Sequence, residues 1–254
     1  GSYTDTIDAG LDRFTAVMFG GTDGLDITEK NAFRNALMDG KTEDNSYELF
    51  SLKAAINMAT DPENLQYNLA SIPGVTEPLV TDYLLETIEN RGDALAVIDL
   101  PNIYMPASDS KDSIQERKNF TVKQAVDGLK GRNINNSYGA TYSPWVMIRD
   151  IFTNRTVWVP PSVTAIGALA TTDRLAAPWF APAGFTRGGL SEGAGGLPVL
   201  DVSRRLTSDE RDDLYENNIN PIAKFPAEGI VIFGQKTLQQ TASALDRINV
   251  RRLM

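Results

Sequence analysis

Between Asp93 and Pro101 the chain reads Ala94-Leu95-Ala96-Val97-Ile98-Asp99-Leu100, an apolar run in which no polar residue alternates until Asp99. A strand apolar on both faces has to be covered on both faces, so this segment belongs inside a layered sheet with structure above and below it. The flanking sequence supplies the layers. Tyr67 to Ile72 reads as a strand closed by Pro73-Gly74. Thr76 then stands as N-cap of a helix with Glu77 and Pro78 in its first turn and a core face of Leu79, Val80, Tyr83, Leu84 and Ile88; Gly92 stops it. Upstream, Phe14 to Phe19 reads as a strand entering the turn Gly20-Gly21-Thr22-Asp23-Gly24. Thr28 precedes a helix over Glu29 to Met38, and a second amphipathic helix covers Tyr47 to Ala59 before Asp61-Pro62. Strand and helix in alternation predict parallel βαβ-like pairing in this half. A capping box of Ser113 and Glu116 opens a further helix reaching Leu129, with Gly131 at its end.

The pattern changes after residue 132. Tyr138 to Ile148 is rich in β-branched and aromatic residues, Thr153-Asn154-Arg155 turns the chain, and Thr156 to Val159 continues it, which predicts a hairpin. Pro160-Pro161 breaks the strand, and Ser162 to Thr171 reads as a small-residue helix. Ala177 to Gly196 is Gly- and Pro-rich without periodicity and is expected to be an exposed ordered loop or surface arm. Thr207 and Glu210 form another capping box, opening the acidic helix Ser208 to Glu216, and Gly229 to Phe233 is a last apolar strand. The expected fold class is α/β (α+β mixed), a layered sheet with packed helices. Its regions are 1–132 and 133–254, which can equally pack as one unit.

Composition then removes chemistry. The 254 residues contain no His and no Cys, which excludes a Ser-His-Asp triad, a Cys-His dyad, Cys/His zinc sites, His- or Cys-ligated haem and iron–sulfur clusters. With 24 Lys+Arg against 33 Asp+Glu the formal charge is −9, which repels phosphate backbones and anionic lipid, so neither nucleic acid nor a membrane anchor is expected. The longest apolar runs fall short of the roughly 20 residues of a membrane helix. Absence of cysteine fits assembly in a reducing cytoplasm.

The remaining constellations are thin. Gly20 to Gly24 has the glycine content of a phosphate-binding turn, but it matches neither GxGxxG nor GxxxxGK[ST], and Asp23 and Asp26 oppose an anion. Asp99 lies where open α/β sheets place functional groups, yet no partner acid, base or metal cluster accompanies it; satisfaction by turn amides at Pro101-Asn102 is the simpler reading. Asp209, Glu210, Asp212 and Asp213 sit at a helix N-terminus, where the dipole favours them, without the spacing of a calcium loop. Arg247, Arg251 and Arg252 alternate with Ile248, Val250 and Leu253; they suit either an acidic partner surface or a charge-protected edge strand. These two charged groups are candidate contacts between subunits, complementary to each other. Trp158, Trp179 and Phe180 are expected as packing anchors rather than a sugar platform. No catalytic residue, metal or cofactor is predicted.

From about Asn135 onward, several segments in order resemble the contractile tail sheath proteins of bacteriophages. They are the strand into Val159-Pro160-Pro161-Ser162, the small-residue helix Val163 to Ala170, and Thr172-Asp173-Arg174. Pro178-Trp179-Phe180-Ala181-Pro182-Ala183-Gly184 follows, then Leu214 and Asn218-Ile219-Asn220-Pro221-Ile222. Gly229-Ile230-Val231-Ile232-Phe233-Gly234, Lys236-Thr237 and Ile248-Asn249-Val250-Arg251-Arg252-Leu253 complete the series. Phe233 stands where many relatives have Trp, and Lys236 where many have Arg. Both departures preserve bulk or charge.

The resemblance implies a non-enzymatic virion subunit that forms six-fold rings stacked helically around a tail tube above a baseplate, assembled in the host cytoplasm. Contraction then drives the tube through the host envelope during genome delivery. Sheath proteins of this type continue beyond the Asn-Val-Arg-Arg-Leu stretch into a tube-facing domain and strand-exchanging arms, so the chain reads as a core fragment, expected to be monomeric alone. The related alternatives are the sheath of a type VI secretion system or of a phage-tail-like bacteriocin. The alternative of another class is a carboxylate-based hydrolase or carbohydrate-binding domain.

Overall fold

The structure is a computed structural model that describes residues 33, 35–101, 121–177, 179–191, 197–241 and 243–244. Its mixed α+β architecture is organised by β2 (Leu95–Ile98), whose four residues are all buried. Parallel neighbours flank it: β1 (Leu69–Ser71) on one side and β3 (Gly139–Ser143) on the other, with Ala96 opposite Gly139. Beyond β3 the sheet continues through the parallel β7 (Asn220–Phe225) and the antiparallel β8 (Gly229–Ile232), giving the order β1-β2-β3-β7-β8. The double-sided apolar run has a direct structural meaning. Ala94, Ala96, Ile98 and Leu100 enter the core on one face, while Leu95 and Val97 enter a second core on the other.

The first core is helical. It gathers residues from α1 (Asn35–Met38), α2 (Tyr47–Met58), α3 (Pro78–Arg91), α4 (Val122–Gly131) and α6 (Ser208–Glu216). Helix α3 starts one residue later than expected. Glu77 holds the N-cap position without a side-chain cap, and the amide of Asn35 braces the approach to the helix: its Oδ1 accepts from the N–H groups of Thr76 (2.8 Å) and Glu77 (3.3 Å), and its Nδ2 donates to Gly74 O (3.0 Å). The buried face is the row Val80, Leu84, Ile88 with Thr81 and Leu85; Leu79, expected in the core, lies one position off that row and is exposed. Gly92 ends the helix in the left-handed region (φ 76°), its N–H bonded to Ile88 O.

Helix α4 has its own capping box, Thr121 with Gln124, in which Gln124 N donates to Thr121 Oγ1 (3.3 Å) and Thr121 N to Gln124 Oε1 (2.7 Å). Ser113 and Glu116, and the Phe14 to Gly24 segment with the start of the Glu29 helix, lie outside the described residues.

The second core lies between the five-stranded sheet, α5 (Pro161–Leu175) and a three-stranded antiparallel sheet. That sheet has the order β5-β4-β6, from β4 (Val146–Arg149), β5 (Thr156–Val159) and β6 (Val199–Val202). The expected β4–β5 hairpin is present. The stretch 138–148, however, is two strands: it divides at Ser143-Pro144, and β3 and β4 enter different sheets. Proline cannot donate to a ladder, which is why the pairing changes there.

The segment after Ala177, expected as an exposed ordered loop or a surface arm, is an ordered strap fastened to β8. Ile232 O accepts from Gly184 N (2.8 Å), Ile232 N donates to Gly188 O (2.8 Å), and Leu190 N donates to Ile230 O (2.7 Å), with Leu190 fully buried. Its backbone thus covers the open edge of the larger sheet, and an edge so covered cannot pair with strangers. Residues 192–196 lie outside the described residues.

Candidate functional site

Asp99 follows β2 directly and is 1% exposed. Its Oδ1 accepts from Ser162 N (3.1 Å) and its Oδ2 from Ser162 Oγ (2.6 Å) and Gly74 N (3.0 Å). The donors are therefore not the neighbouring turn, as the sequence suggested, but a loop 25 residues upstream and a helix 63 residues downstream. The reason is local. Pro160 occupies the N-cap position of α5 and has no acceptor side chain, so a carboxylate from the adjacent strand satisfies a first-turn N–H. Burial pushes the Asp99 pKa above the ordinary carboxylate range, against the downward pull of its three hydrogen bonds. Among the described residues no charged side chain bonds to it, and the arrangement joins elements rather than moving protons.

The acidic helix α6 divides the four candidate carboxylates. Glu210 closes the capping box with Thr207 (Thr207 N to Oε2, 2.9 Å) and pairs with Arg204. Burial is the largest influence on its pKa and raises it, but the bonds from Thr207 and Arg204 together outweigh that and leave it lowered. Asp213 accepts from Asn217 Nδ2 at 3.0 Å. Asp209 and Asp212 are exposed and make no hydrogen bond or ion pair among the described residues, and neither does Glu216. Arg247, Arg251 and Arg252 lie outside the described residues, as does Gly20 to Gly24.

Trp158 is half-buried on β5, opposite Met147. Trp179 and Phe180 are not packing anchors: both are exposed, their ring centroids 6.3 Å apart, with the Arg187 guanidinium 4.1 Å above Phe180. The strap holds β8 by its backbone, which leaves these rings outside.

Two surface features escaped the sequence reading. The first is the tip of the β4–β5 hairpin, where Ile151 is 74% and Phe152 92% exposed. The loop beneath them is tied down. Asp150 accepts from Phe152 N (3.0 Å) and from Thr153 Oγ1, and donates its own N–H to Arg155 O (2.8 Å); Asn154 takes a left-handed φ of 56° and accepts from Arg149 Nε (2.8 Å). The bond from Thr153, then that from Phe152 N, holds the Asp150 carboxyl below its ordinary pKa. An apolar pair directly ahead of Thr153-Asn154-Arg155, the stretch that read as a turn, was the available signal.

The second feature is a cluster of three rings, Phe185 from the strap, Phe225 at the end of β7 and Phe233 just after β8, with centroids 5.1–5.8 Å apart. Phe185 and Phe233 are about half exposed. The Arg211 guanidinium of α6 lies 5.2 Å from the Phe225 ring centre, so the cluster sits beside the acidic helix.

Glycoside hydrolysis needs two facing carboxyl groups. A cleft of about 340 Å³ beside α4 and α6 contains one, Glu216, and a second of about 400 Å³ beside α3 contains one, Glu86. Among the described residues no three Asp or Glu side chains gather as a metal site, and no helix is long and apolar enough to cross a membrane.

No family model matches the chain. The chain is 29% identical over 247 residues to the tail sheath protein of Vibrio phage KVP40, a match covering 88% of this chain and 36% of that protein. It is 34% identical over 121 residues to the tail sheath protein of Enterobacteria phage T4, covering 48% of this chain and 18% of that one. The chain thus spans about a third or less of the length of these curated relatives. In fold it is similar to the sheath of an extracellular contractile injection system in its contracted state, with a TM-score of 0.55 and 22% identity over 81% of this chain and 48% of the other.

Proposed function

We infer that this chain, a relative of bacteriophage tail sheath proteins with the fold of a contractile sheath, is the core region of a sheath subunit. The observation that carries this is the sequence match along 88% of the chain to a tail sheath protein. The subunit's role is structural. Six copies form a ring around a tail tube, rings stack helically from a baseplate, and the assembled sheath shortens to push the tube through a host envelope. Its place is the virion, after assembly in the host cytoplasm, and no catalysis or cofactor is required.

Features of the molecule support a mechanical part. Force passed between subunits moves packed bodies as units, and the Asp99–Ser162 and Asn35–Thr76 bonds each tie together elements distant in sequence. The strap along β8 removes one open edge at which subunits would pair out of register. Asp209 and Asp212, with Arg247, Arg251 and Arg252, are proposed contacts between subunits; Glu210 and Asp213 contribute through the helix they stabilise.

The test is electron microscopy of the longer protein that contains this region. Hollow tubes with a stacked-ring repeat are expected; dispersed particles under conditions that assemble a related sheath would sink the reading. The 254-residue chain alone is expected to scatter light as a monomer.

A further inference from the structure

We propose that the Ile151–Phe152 tip of one copy seats in the cleft between α4 and α6 of a second copy. The proposal rests on the sheath reading, and names a contact between subunits that the reading leaves open. The knob is a built feature. Bonds among Arg149, Asp150, Thr153 and Asn154 fix the loop, so presenting two apolar side chains to a partner costs little additional ordering. At 92% exposure, Phe152 finds no cover among the described residues of its own copy. The hole has matching chemistry. Leu129, Ile134 and Leu238 line it with side chains that already belong to the first core, and its volume of about 340 Å³ is room for one aromatic ring.

Charge selects the occupant. Glu216 lines the cleft, exposed and without a hydrogen bond or ion pair among the described residues. Asp212 and Asp209 precede it by four and seven positions, the spacing that shares one helix face, so a stripe of exposed carboxylates runs along α6 and ends in the cleft. Both helices also end there, α4 at Gly131 and α6 at Glu216, which brings the negative ends of two helix dipoles to the same place. Against these stands one lining ammonium, Lys130; Lys236 is taken up by the carbonyl and ring of Tyr215. The tip carries two exposed arginines, Arg149 and Arg155, and one carboxylate, Asp150, which its own loop holds. Basic-rimmed knob and acidic-rimmed hole both belong to this chain, which makes a second copy the occupant. Because the two surfaces differ, the contact is heterologous and can run on from copy to copy, as a helical polymer needs. The arginines orient the approach and are screened by salt, while Phe152 holds it.

The chain has no cysteine, so engineered thiols report contacts without background. Ile151→Cys leaves Phe152 in place, and Lys130→Cys puts a thiol in the cleft while removing its one ammonium. The two variants are mixed at high concentration and mildly oxidised, with Met58→Cys, at 78% exposure on α2, replacing Lys130→Cys as control. Scaled to each thiol's own rate with a small disulfide, the tip-to-cleft cross-link is expected to form at least about tenfold faster than the tip-to-Met58 one, because docking raises the local thiol concentration. Phe152→Ser in the tip chain or Glu216→Lys in the cleft chain should each slow it, and Arg155→Glu in the tip chain should restore the rate lost to Glu216→Lys. Equal rates for cleft and control, or indifference to either substitution, overturn the proposal. The cross-link is read in this chain whether or not the longer protein builds tubes, so a failed contact and a failed sheath reading give different results.

Discussion

Asp99 and Ser162, 63 residues apart, are joined twice, by Ser162 N to Oδ1 at 3.1 Å and by Ser162 Oγ to Oδ2 at 2.6 Å. One buried carboxylate thereby fixes the start of α5 to the end of β2, and through Gly74 N it also holds the loop ahead of α3. Both cores meet at this point, since β2 contributes to each.

Replacing Asp99 with Asn turns two of its acceptor lone pairs into donors facing donors. The Ser162 hydroxyl can turn to accept from the new NH2, but one backbone N–H, that of Gly74 or of Ser162, then faces a donor in a site closed to water. The expected loss is about 2–4 kcal/mol of unfolding free energy, measured by denaturant titration. A variant as stable as the parent would show that the bonds are incidental.

Acid should separate two carboxylates of opposite sign. Burial raises the Asp99 pKa in the folded state, so the folded form binds the proton more tightly than the unfolded chain. Its contribution therefore improves as pH falls through that raised value, and is complete below the ordinary value of about 3.9. Glu210 behaves in reverse: its pKa is lowered, so its contribution is present above the ordinary value of about 4.3 and is lost as pH falls through the lowered one. In melting curves taken from neutral to acid pH, the gap between parent and Asp99→Asn should widen, while that between parent and Glu210→Gln should close.

Gly188→Ala tests the strap. A Cβ there would sit 2.6 Å from Ile232 O and 2.8 Å from Gly184 O, both backbone atoms that cannot rotate away. The segment would have to lift from β8, at a cost of about 2–3 kcal/mol. Hydrogen exchange should quicken first at the amides of Ile232 and Leu190, which bond across this seam. The uncovered edge should also make the variant aggregate on warming.

How much of this was legible in the sequence depended on the range of the interaction that fixed it. The Ala94 to Leu100 run announced a doubly covered strand because its pattern is its own, and the Thr207–Glu210 and Gly92 signals worked for the same reason. Where a distant residue substitutes for a local one, local reading failed. Thr76 looked like a cap, but the helix starts one residue later and the Thr76 N–H is held by Asn35, 41 residues earlier, a partner that local sequence cannot show. Pro144 divides two strands, yet which sheet each joins is decided by partners elsewhere. The strap read only as an ordered loop or a surface arm, without its partner β8, because its bonds are main-chain and leave no mark on side-chain composition. The hairpin tip and the ring cluster were missed because Ile151, Phe152, Phe185 and Phe233 have ordinary core identities and became informative only when found exposed.

Asn220 provides the sharpest test of the seam between the halves of the larger sheet. It is fully buried at the start of β7, where its Nδ2 donates to Thr141 O (3.0 Å) on β3 and to Lys236 O (2.8 Å), and its Oδ1 accepts from Lys236 N (2.7 Å). One amide thus binds β3, β7 and the chain leaving β8. Gly234 is required beside it, since a Cβ there would lie 2.8 Å from Asn220 Oδ1. Asn220→Ala should cost about 2–4 kcal/mol, because two carbonyls and one N–H lose partners in a dry site. Asn220→Asp keeps the bond from Lys236 N but points lone pairs at two carbonyl oxygens and buries a charge, so at neutral pH it should be no more stable than the alanine variant. Protonation returns one donor, and the Asp variant should therefore recover part of its loss as pH falls, while the Ala variant gains nothing from this site. Urea titrations of both variants at neutral and acid pH decide it, and an Asp variant matching the parent at neutral pH would refute the donor role assigned to this amide.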